Sequence, residues 1–254
     1  MSTSPIRVEI DGREPTIEEL YHPILVNYGH FTAMQVRGGR VRGLGLHLDR
    51  LAAATRELFG TELDRDLVRA RLAHAVRDIP DAAVRINVYR PAELMVVVAV
   101  RPPTPPPAAP VALRSVRYER PAAHLKHVGG FGQAYHGARA RAEGFDDALL
   151  VDHTGAIEES TVANVAFFDG TEVSWPSAPH LAGIAMQLLA PRLPSRTALV
   201  TLADLPSYRG AFLTNSIGTA PVSRIDDVTY GVDPALMRLV AAAEAAVPWD
   251  PIAA

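Results

Sequence analysis

Residues 102–110 read Pro-Pro-Thr-Pro-Pro-Pro-Ala-Ala-Pro, and no other stretch of the chain limits its fold as strongly. Proline fixes φ and lacks an amide hydrogen, so six of them here exclude a helix interior and a central strand. The segment predicts an extended, stiff connector. It divides the 254 residues into two stretches, each of ordinary domain size. The expected organisation is a small domain over 1–103, a connector over 104–112 and a larger domain over 113–254. With 48% hydrophobic residues, either stretch has material for a core.

Patterning on each side of the connector mixes helices and strands. The first part predicts strands at Ile6 to Ile10, Phe31 to Val36, Val84 to Tyr89 and Leu94 to Val100, with helices at Leu46 to Phe59 and Asp66 to Val76. Arg37-Gly38-Gly39-Arg40 has the glycine pair of a hairpin turn. The second part predicts strands at Val111 to Tyr118, Ala148 to Val151, Ala156 to Glu158, Asn164 to Phe168, Ala198 to Leu202 and Ala211 to Thr214. Its helices are expected near Gln133 to Glu143, Ile184 to Leu189 and Pro234 to Val247, the last opened by Asp233 as cap with proline at the first position. The fold class is α+β.

Composition excludes several functions. A net charge of −3 gives no electrostatic reason to expect nucleic acid or an anionic membrane. The absence of cysteine excludes disulfides, thiolate metal ligands and a cysteine nucleophile. The N-terminal residues lack the basic flank and apolar run of a secretory signal. The longest apolar run, Leu94 to Val100, falls far short of the ~20 residues of a spanning helix. A soluble, cytoplasmic protein is expected.

Of the 25 basic residues, 24 are arginine, and Lys126 is the only lysine. A chain that has exchanged almost every basic position for guanidinium keeps a primary amine at one place. An ammonium can lose its proton through burial or neighbouring charge and then attack a carbonyl, whereas guanidinium stays protonated. Common motifs give no competing chemistry: there is no P-loop, no Gly-x-Ser-x-Gly elbow and no His-Glu-x-x-His. Gly129-Gly130-Phe131-Gly132 lacks the glycine spacing of a dinucleotide loop. His124 and His127 have no carboxylate at ligand spacing, so no metal site is expected.

Lys126 lies in His-Leu-Lys-His-Val-Gly-Gly-Phe-Gly. It is followed by Ile157-Glu158-Glu159-Ser160-Thr161-Val162-Ala163-Asn164, then Leu181-Ala182-Gly183-Ile184, then Phe212-Leu213-Thr214-Asn215-Ser216. His47-Leu48-Asp49-Arg50-Leu51 stands in the first part. In this order, from about Asn27 to Asp227, the motifs resemble the class IV (fold-type IV) pyridoxal-phosphate enzymes, which include branched-chain and D-amino-acid aminotransferases and aminodeoxychorismate lyase. The resemblance implies a two-domain D-amino-acid-aminotransferase-like fold with pyridoxal 5'-phosphate held between the domains, and a homodimer. It implies that Lys126 condenses with the cofactor aldehyde and then moves the substrate's α-proton. Glu159, five residues before Asn164 as in the family motif, would pair with the pyridine nitrogen, with Glu158 as its rival. Arg50 would bind the phosphate with its planar fork. Gly183 and Ile184 would cradle that phosphate with backbone amides, and Ser216 and Ile217 would add a hydroxyl and an amide. Tyr28, Phe31 and Arg85 are the expected substrate-pocket residues.

Three positions depart from the family. Ala185 replaces a common threonine after Gly-Ile. Phe131 stands where a tyrosine often faces the cofactor's phenolic oxygen, with Tyr135 as a possible substitute. Phe31-Thr32 replaces Phe-Glu, and His30 is unusual beside it. The expected activity is transfer of an amino group between an amino acid, or a chiral amine, and a 2-oxo acid. The alternatives are a lyase that eliminates pyruvate with the same lysine, and a catalytically silent cofactor-binding protein.

Overall fold

The computed structural model describes residues 6–253. The chain separates into two compact units. The first comprises Met1–Thr104, Leu125–Gly129 and Pro248–Ala254, and the second Pro105–His124 and Gly130–Val247. The expected continuous division is therefore corrected at two places. Leu125–Gly129 joins the first unit because its backbone pairs with strand Gly29–Val36. Pro248–Ala254 joins it because Asp250–Pro251 pairs with Arg40–Val41. The outermost residues of the expected division, 1–5 and 254, lie outside the described residues.

In the first unit, β1 (Arg7–Ile10), α1 (Ile17–Leu25), β2 (Gly29–Val36), β3 (Arg40–Val41), α2 (Leu44–Phe59), α3 (Arg65–Ala75), β4 (Ala82–Tyr89) and β5 (Met95–Arg101) follow one another. An antiparallel sheet runs in the order β1-β5-β4-β2. Strand alternation sorts its side chains: Thr32, Met34 and Val36 of β2 and Val84, Ile86 and Val88 of β4 are buried on one face. Leu44, Leu48 and Leu51 of α2 and Val68, Leu72 and Ala75 of α3 close that core at helical spacing. Phe31 and Arg85 point to the opposite face. The Arg37–Arg40 turn forms with both glycines at positive φ (54° and 69°), as a tight hairpin requires.

The second unit holds β6 (Val111–Arg117), α4 (Phe131–Ala142), β7 (Asp147–Val151), β8 (Ile157–Ser160), β9 (Asn164–Phe168), β10 (Val173–Pro176), α5 (Ile184–Leu189), β11 (Ser195–Ala198), β12 (Gly210–Asn215), β13 (Gly218–Ile225), β14 (Val228–Thr229) and α6 (Pro234–Ala245). The sheet path is β11-β10-β9-β12-β13-β6-β7-β8, with β14 on β13. Its strands are buried on both faces: Val165, Phe167, Ala211 and Leu213 pack to one side, and Ala166, Phe168, Trp175 and Phe212 to the other, against α5 and α6. Strands that are apolar throughout are what two-sided burial demands.

Several elements differ from the sequence expectation. The strand expected at Ala198 to Leu202 lies instead at Ser195–Ala198, because Thr201 and Asp204 form a capping box that starts a 3-10 turn at Leu202. Helix α1 escapes periodicity because it is short, contains Pro23 and buries none of its residues, yet Thr16 and Glu19 cap it reciprocally. Strand β13 carries Pro221 and a register shift between Val222 and Arg224, which disguise it in the sequence.

Helix α2 has Gly43 as its N-cap residue and no side-chain cap of its own. The Leu44 amide instead donates to Asp250 Oδ2 at 2.9 Å, from the far end of the chain. Asp250→Ala should therefore cost about 0.5–2 kcal/mol, the usual worth of a helix cap, read as a lowered urea midpoint at constant m-value. An unchanged midpoint would show that α2 needs no borrowed cap.

Candidate active site

Lys126 is held by backbone pairing rather than by a helix or strand of its own. The Phe31 amide donates to the Lys126 carbonyl at 2.8 Å and the Val128 amide to the Gly29 carbonyl at 2.9 Å, with His30 opposite His127. This places the lysine Nζ 4.8 Å from the centroid of the Phe31 ring. The Arg85 guanidinium lies over the same ring, 3.5 Å from its centroid. Arg85, Asn87 and Tyr89 share one face of β4 at strand spacing. Arg85 Nε donates to Asn87 Oδ1 at 3.0 Å, and the Asn87 amide donates to the Tyr89 hydroxyl at 3.1 Å. Burial lowers the pKa of Arg85, and the Arg101 charge adds to the effect. Three of the expected residues, Lys126, Phe31 and Arg85, are thus brought together. Tyr28 stands half-exposed, and its ring meets Phe59 edge-on at 5.9 Å.

Arg50 sits one helical turn after His47 on α2, so both face the buried side of β2. Its Nη2 donates to Thr32 Oγ1, and the same hydroxyl lies 2.6 Å from His47 Nδ1. Arg50 Nε is buried and has no hydrogen-bond partner among the described residues. Burial brings the Arg50 guanidinium down to about 10. It brings His47 down to about 3, aided by the Arg50 and Lys126 charges. His30, bonded to Thr55 Oγ1 at 2.9 Å, falls to about 4 through burial and the Arg50 charge. Both imidazoles are neutral at neutral pH.

In the second unit, Glu159 on β8 is buried and ion-paired. Arg120 Nε donates to its Oε1 at 2.8 Å, and another Arg120 nitrogen donates to the Ala123 carbonyl. The Leu181 amide donates to Glu159 Oε2 at 3.3 Å, while Asn164 Nδ2 donates to the Leu181 carbonyl at 2.8 Å. One residue, Leu181, thus ties Glu159 and Asn164 to the loop that opens α5. At the end of that loop a Cβ on Gly183 would meet Asn164 Oδ1 at 2.1 Å, so any side chain there would displace Asn164. The first intrahelical bond of α5 runs from the Gln187 amide to the Gly183 carbonyl, leaving the Ile184 and Ala185 amides outside the helical ladder. Ser216 and Ile217 form the turn between β12 and β13, where the Ile217 amide donates to Asn215 Oδ1 at 2.8 Å. Phe131 and Tyr135 stack at 6.0 Å on α4, with both rings exposed.

Arg120 and Asn87 are partners of these side chains that sequence reasoning did not single out, while Thr32 enters it only as a departure and His47 only within its motif. Arg120 lies in irregular chain, where no periodicity marks a buried charge. His47 does carry a signal, its three-residue spacing from Arg50, which puts both on one helix face.

The model of the amino-transferase class IV family matches residues 29–225. The chain belongs to the class IV aminotransferase family. No curated protein matches it at a significant level. Among solved structures it is similar to a hypothetical aminotransferase from Mycobacterium tuberculosis in its PLP-bound form, at 20% identity and TM-score 0.84 over 94% of this chain and 98% of that one. It is similar to a branched-chain aminotransferase from the thermophilic archaeon Thermoproteus uzoniensis, at 18% identity and TM-score 0.83 over 95% and 94%. A candidate 4-amino-4-deoxychorismate lyase from Legionella pneumophila is similar at 20% identity and TM-score 0.78 over 88% and 92%. These likenesses establish a shared fold for the class IV chain, and its α+β character agrees with the sequence expectation. No helix among the described residues is long and apolar enough to cross a membrane.

Glu158, the neighbour and rival of Glu159, differs from it in environment. It is buried, its Oε2 has no partner among the described residues, and its carboxyl is pushed up to about 7. Burial is the main cause. The Arg120 amide opposes it, and the charges of Glu119, Glu159 and Asp152 reinforce it. The folded protein therefore keeps this proton over a range where the unfolded chain, near 4.5, has released it. Stability is lost as pH rises through that window and stays lost above it. Glu158→Gln should gain stability over the parent at about pH 8 and gain little at about pH 4, in cofactor-free denaturant melts. An equal gain at both values would contradict the protonated carboxyl.

Proposed function

We propose that this class IV protein is a pyridoxal 5'-phosphate-dependent aminotransferase acting on small amines or amino acids and 2-oxo acids. The observation that carries the reading is the placement of the only lysine: backbone pairing holds Lys126 beside Phe31 and Arg85. The residues present fit the cofactor. Arg50 Nε is a buried, unpartnered donor, a costly state that an anionic phosphate oxygen relieves. Gly183, by lacking a Cβ, lets the loop before α5 close on Asn164 and leaves the Ile184 amide as a further donor. Because α5 has only six residues, these amides rather than a long helix dipole would do the binding. Ser216 would add its hydroxyl, and Ile217 its amide on release from Asn215.

When bound, the cofactor supplies an aldehyde that condenses with a primary amine and a ring that accepts the electrons released at the substrate's α-carbon. The chain's own groups do the rest. Lys126 Nζ takes the α-proton and returns it, a task for an amine that guanidinium cannot perform. Glu159 holds a proton at the pyridine nitrogen, with Arg120 and the Leu181 amide fixing its carboxylate. Arg85, stacked on Phe31, offers a cationic face for a substrate carboxylate, and Tyr28 and Phe31 shape the apolar side of the pocket. A homodimer in the cytoplasm is part of the same reading, and sedimentation tests the dimer.

A lyase that eliminates pyruvate with the same lysine is the second reading, favoured by the similarity to the Legionella protein. Purified protein given an amino donor and a 2-oxo acid yields a new amino acid if it is an aminotransferase. Pyruvate released without an acceptor marks the lyase.

Lys126→Arg should abolish turnover although charge is retained, and borohydride reduction of the loaded wild type should label the peptide containing Lys126. Turnover at the wild-type rate, or an unlabelled peptide, would remove the mechanism. Glu159→Gln should lower kcat more than it weakens cofactor binding, as measured by steady-state kinetics alongside cofactor titration. An unchanged kcat would remove the proton-holding role.

A further inference from the structure

We propose that Thr32 and His47 are positioning residues that fix the Arg50 guanidinium for a phosphate monoester, and so set the preference for a phosphorylated over an unphosphorylated cofactor. The inference rests on the reading of Arg50 as a phosphate ligand and goes beyond it to two side chains that need not touch the phosphate.

Arg50 Nη2 can only donate, so Thr32 Oγ1 accepts from it. Thr32 has one hydroxyl proton, and the nearby partner for it is His47 Nδ1 at 2.6 Å. The chain of bonds therefore has a single direction, from Arg50 through Thr32 to His47. It requires an imidazole with Nδ1 unprotonated. Burial and the neighbouring Arg50 and Lys126 charges keep His47 neutral, and the Thr32 hydroxyl proton then selects the tautomer with its hydrogen on Nε2. The reverse arrangement, with the proton on Nδ1, would aim two donors at Thr32 Oγ1 and leave the hydroxyl proton to find another acceptor.

Packing adds rigidity. Thr32 is fully buried on the central part of β2, and His47 is 3% exposed on α2, so neither can swing away. An arginine has many rotamers, and ordering one on ligand binding is costly. Here the order is built before any ligand arrives: one guanidinium nitrogen is tied down while Nε stays buried and unpartnered. Thr32 is also a place where the chain departs from its family's usual glutamate. A carboxylate there would neutralise Arg50, whereas a hydroxyl holds the guanidinium without cancelling its charge.

The test compares two probes, pyridoxal 5'-phosphate and pyridoxal, titrated into the full-length protein freed of cofactor. Thr32→Val should lower the preference for the phosphorylated form by about tenfold, the worth of one hydrogen bond to a charged group, with pyridoxal affinity unchanged. Thr32→Ser keeps the hydroxyl and should keep the preference. His47→Phe keeps a ring but removes the acceptor, and should lower the preference in the same direction. An unchanged preference in Thr32→Val, or equal weakening toward both probes, overturns the proposal. If Thr32→Val does not fold, an unchanged preference in His47→Phe overturns it equally. A wild-type chain that binds neither probe overturns the cofactor reading itself, and with it this inference.

Discussion

Two backbone hydrogen bonds carry the placement of Lys126 in the first unit. By pairing Phe31 with Lys126 and Gly29 with Val128, the chain lays five residues from beyond the connector alongside β2. Backbone pairing fixes which way successive side chains point, so the register decides that Lys126, like Arg85, lies against the Phe31 ring. A slip by one residue would send the lysine to the opposite side. The Lys126 amine is thereby positioned by a strand whose other face is locked into the core through Met34 and Val36.

Charge inside the protein is handled by the same economy. Glu159 and Arg120 are both nearly inaccessible, at 6% and 4% of their side-chain surfaces, and each is satisfied by the other and by backbone groups. A buried carboxylate without such partners would take up a proton, as its neighbour Glu158 tends to do. Adjacent residues of one strand thus acquire opposite characters, one ion-paired and one inclined to neutrality. Arg50 is the counter-case: a buried guanidinium with one donor tied and another unanswered among the described residues.

Most of the architecture is legible in the pattern of residues. Helices α2 and α3 follow from the spacing of leucines and alanines, and β9 and α5 begin and end where the turn residues Asp169-Gly170 and Gly183 place them. What pattern could not give are elements made by partners. Strand β13 exists because β12 and β6 flank it despite Pro221. The Asp250–Pro251 pair exists because β3 is there to receive it.

The same division holds for the site and for the chain as a whole. Its amino acids alone determine that one primary amine exists, that a helix carries His47 and Arg50 on one face, and that the motifs are those of class IV aminotransferases. These facts are local or compositional, and they need no knowledge of what packs where. Only the tertiary structure decides that Lys126 belongs with β2, that Arg120 rather than a lysine neutralises Glu159, and that Thr32 links Arg50 to His47. Each of those pairings joins residues far apart in the chain, and their strength comes from burial, which no single segment possesses until the others have closed over it.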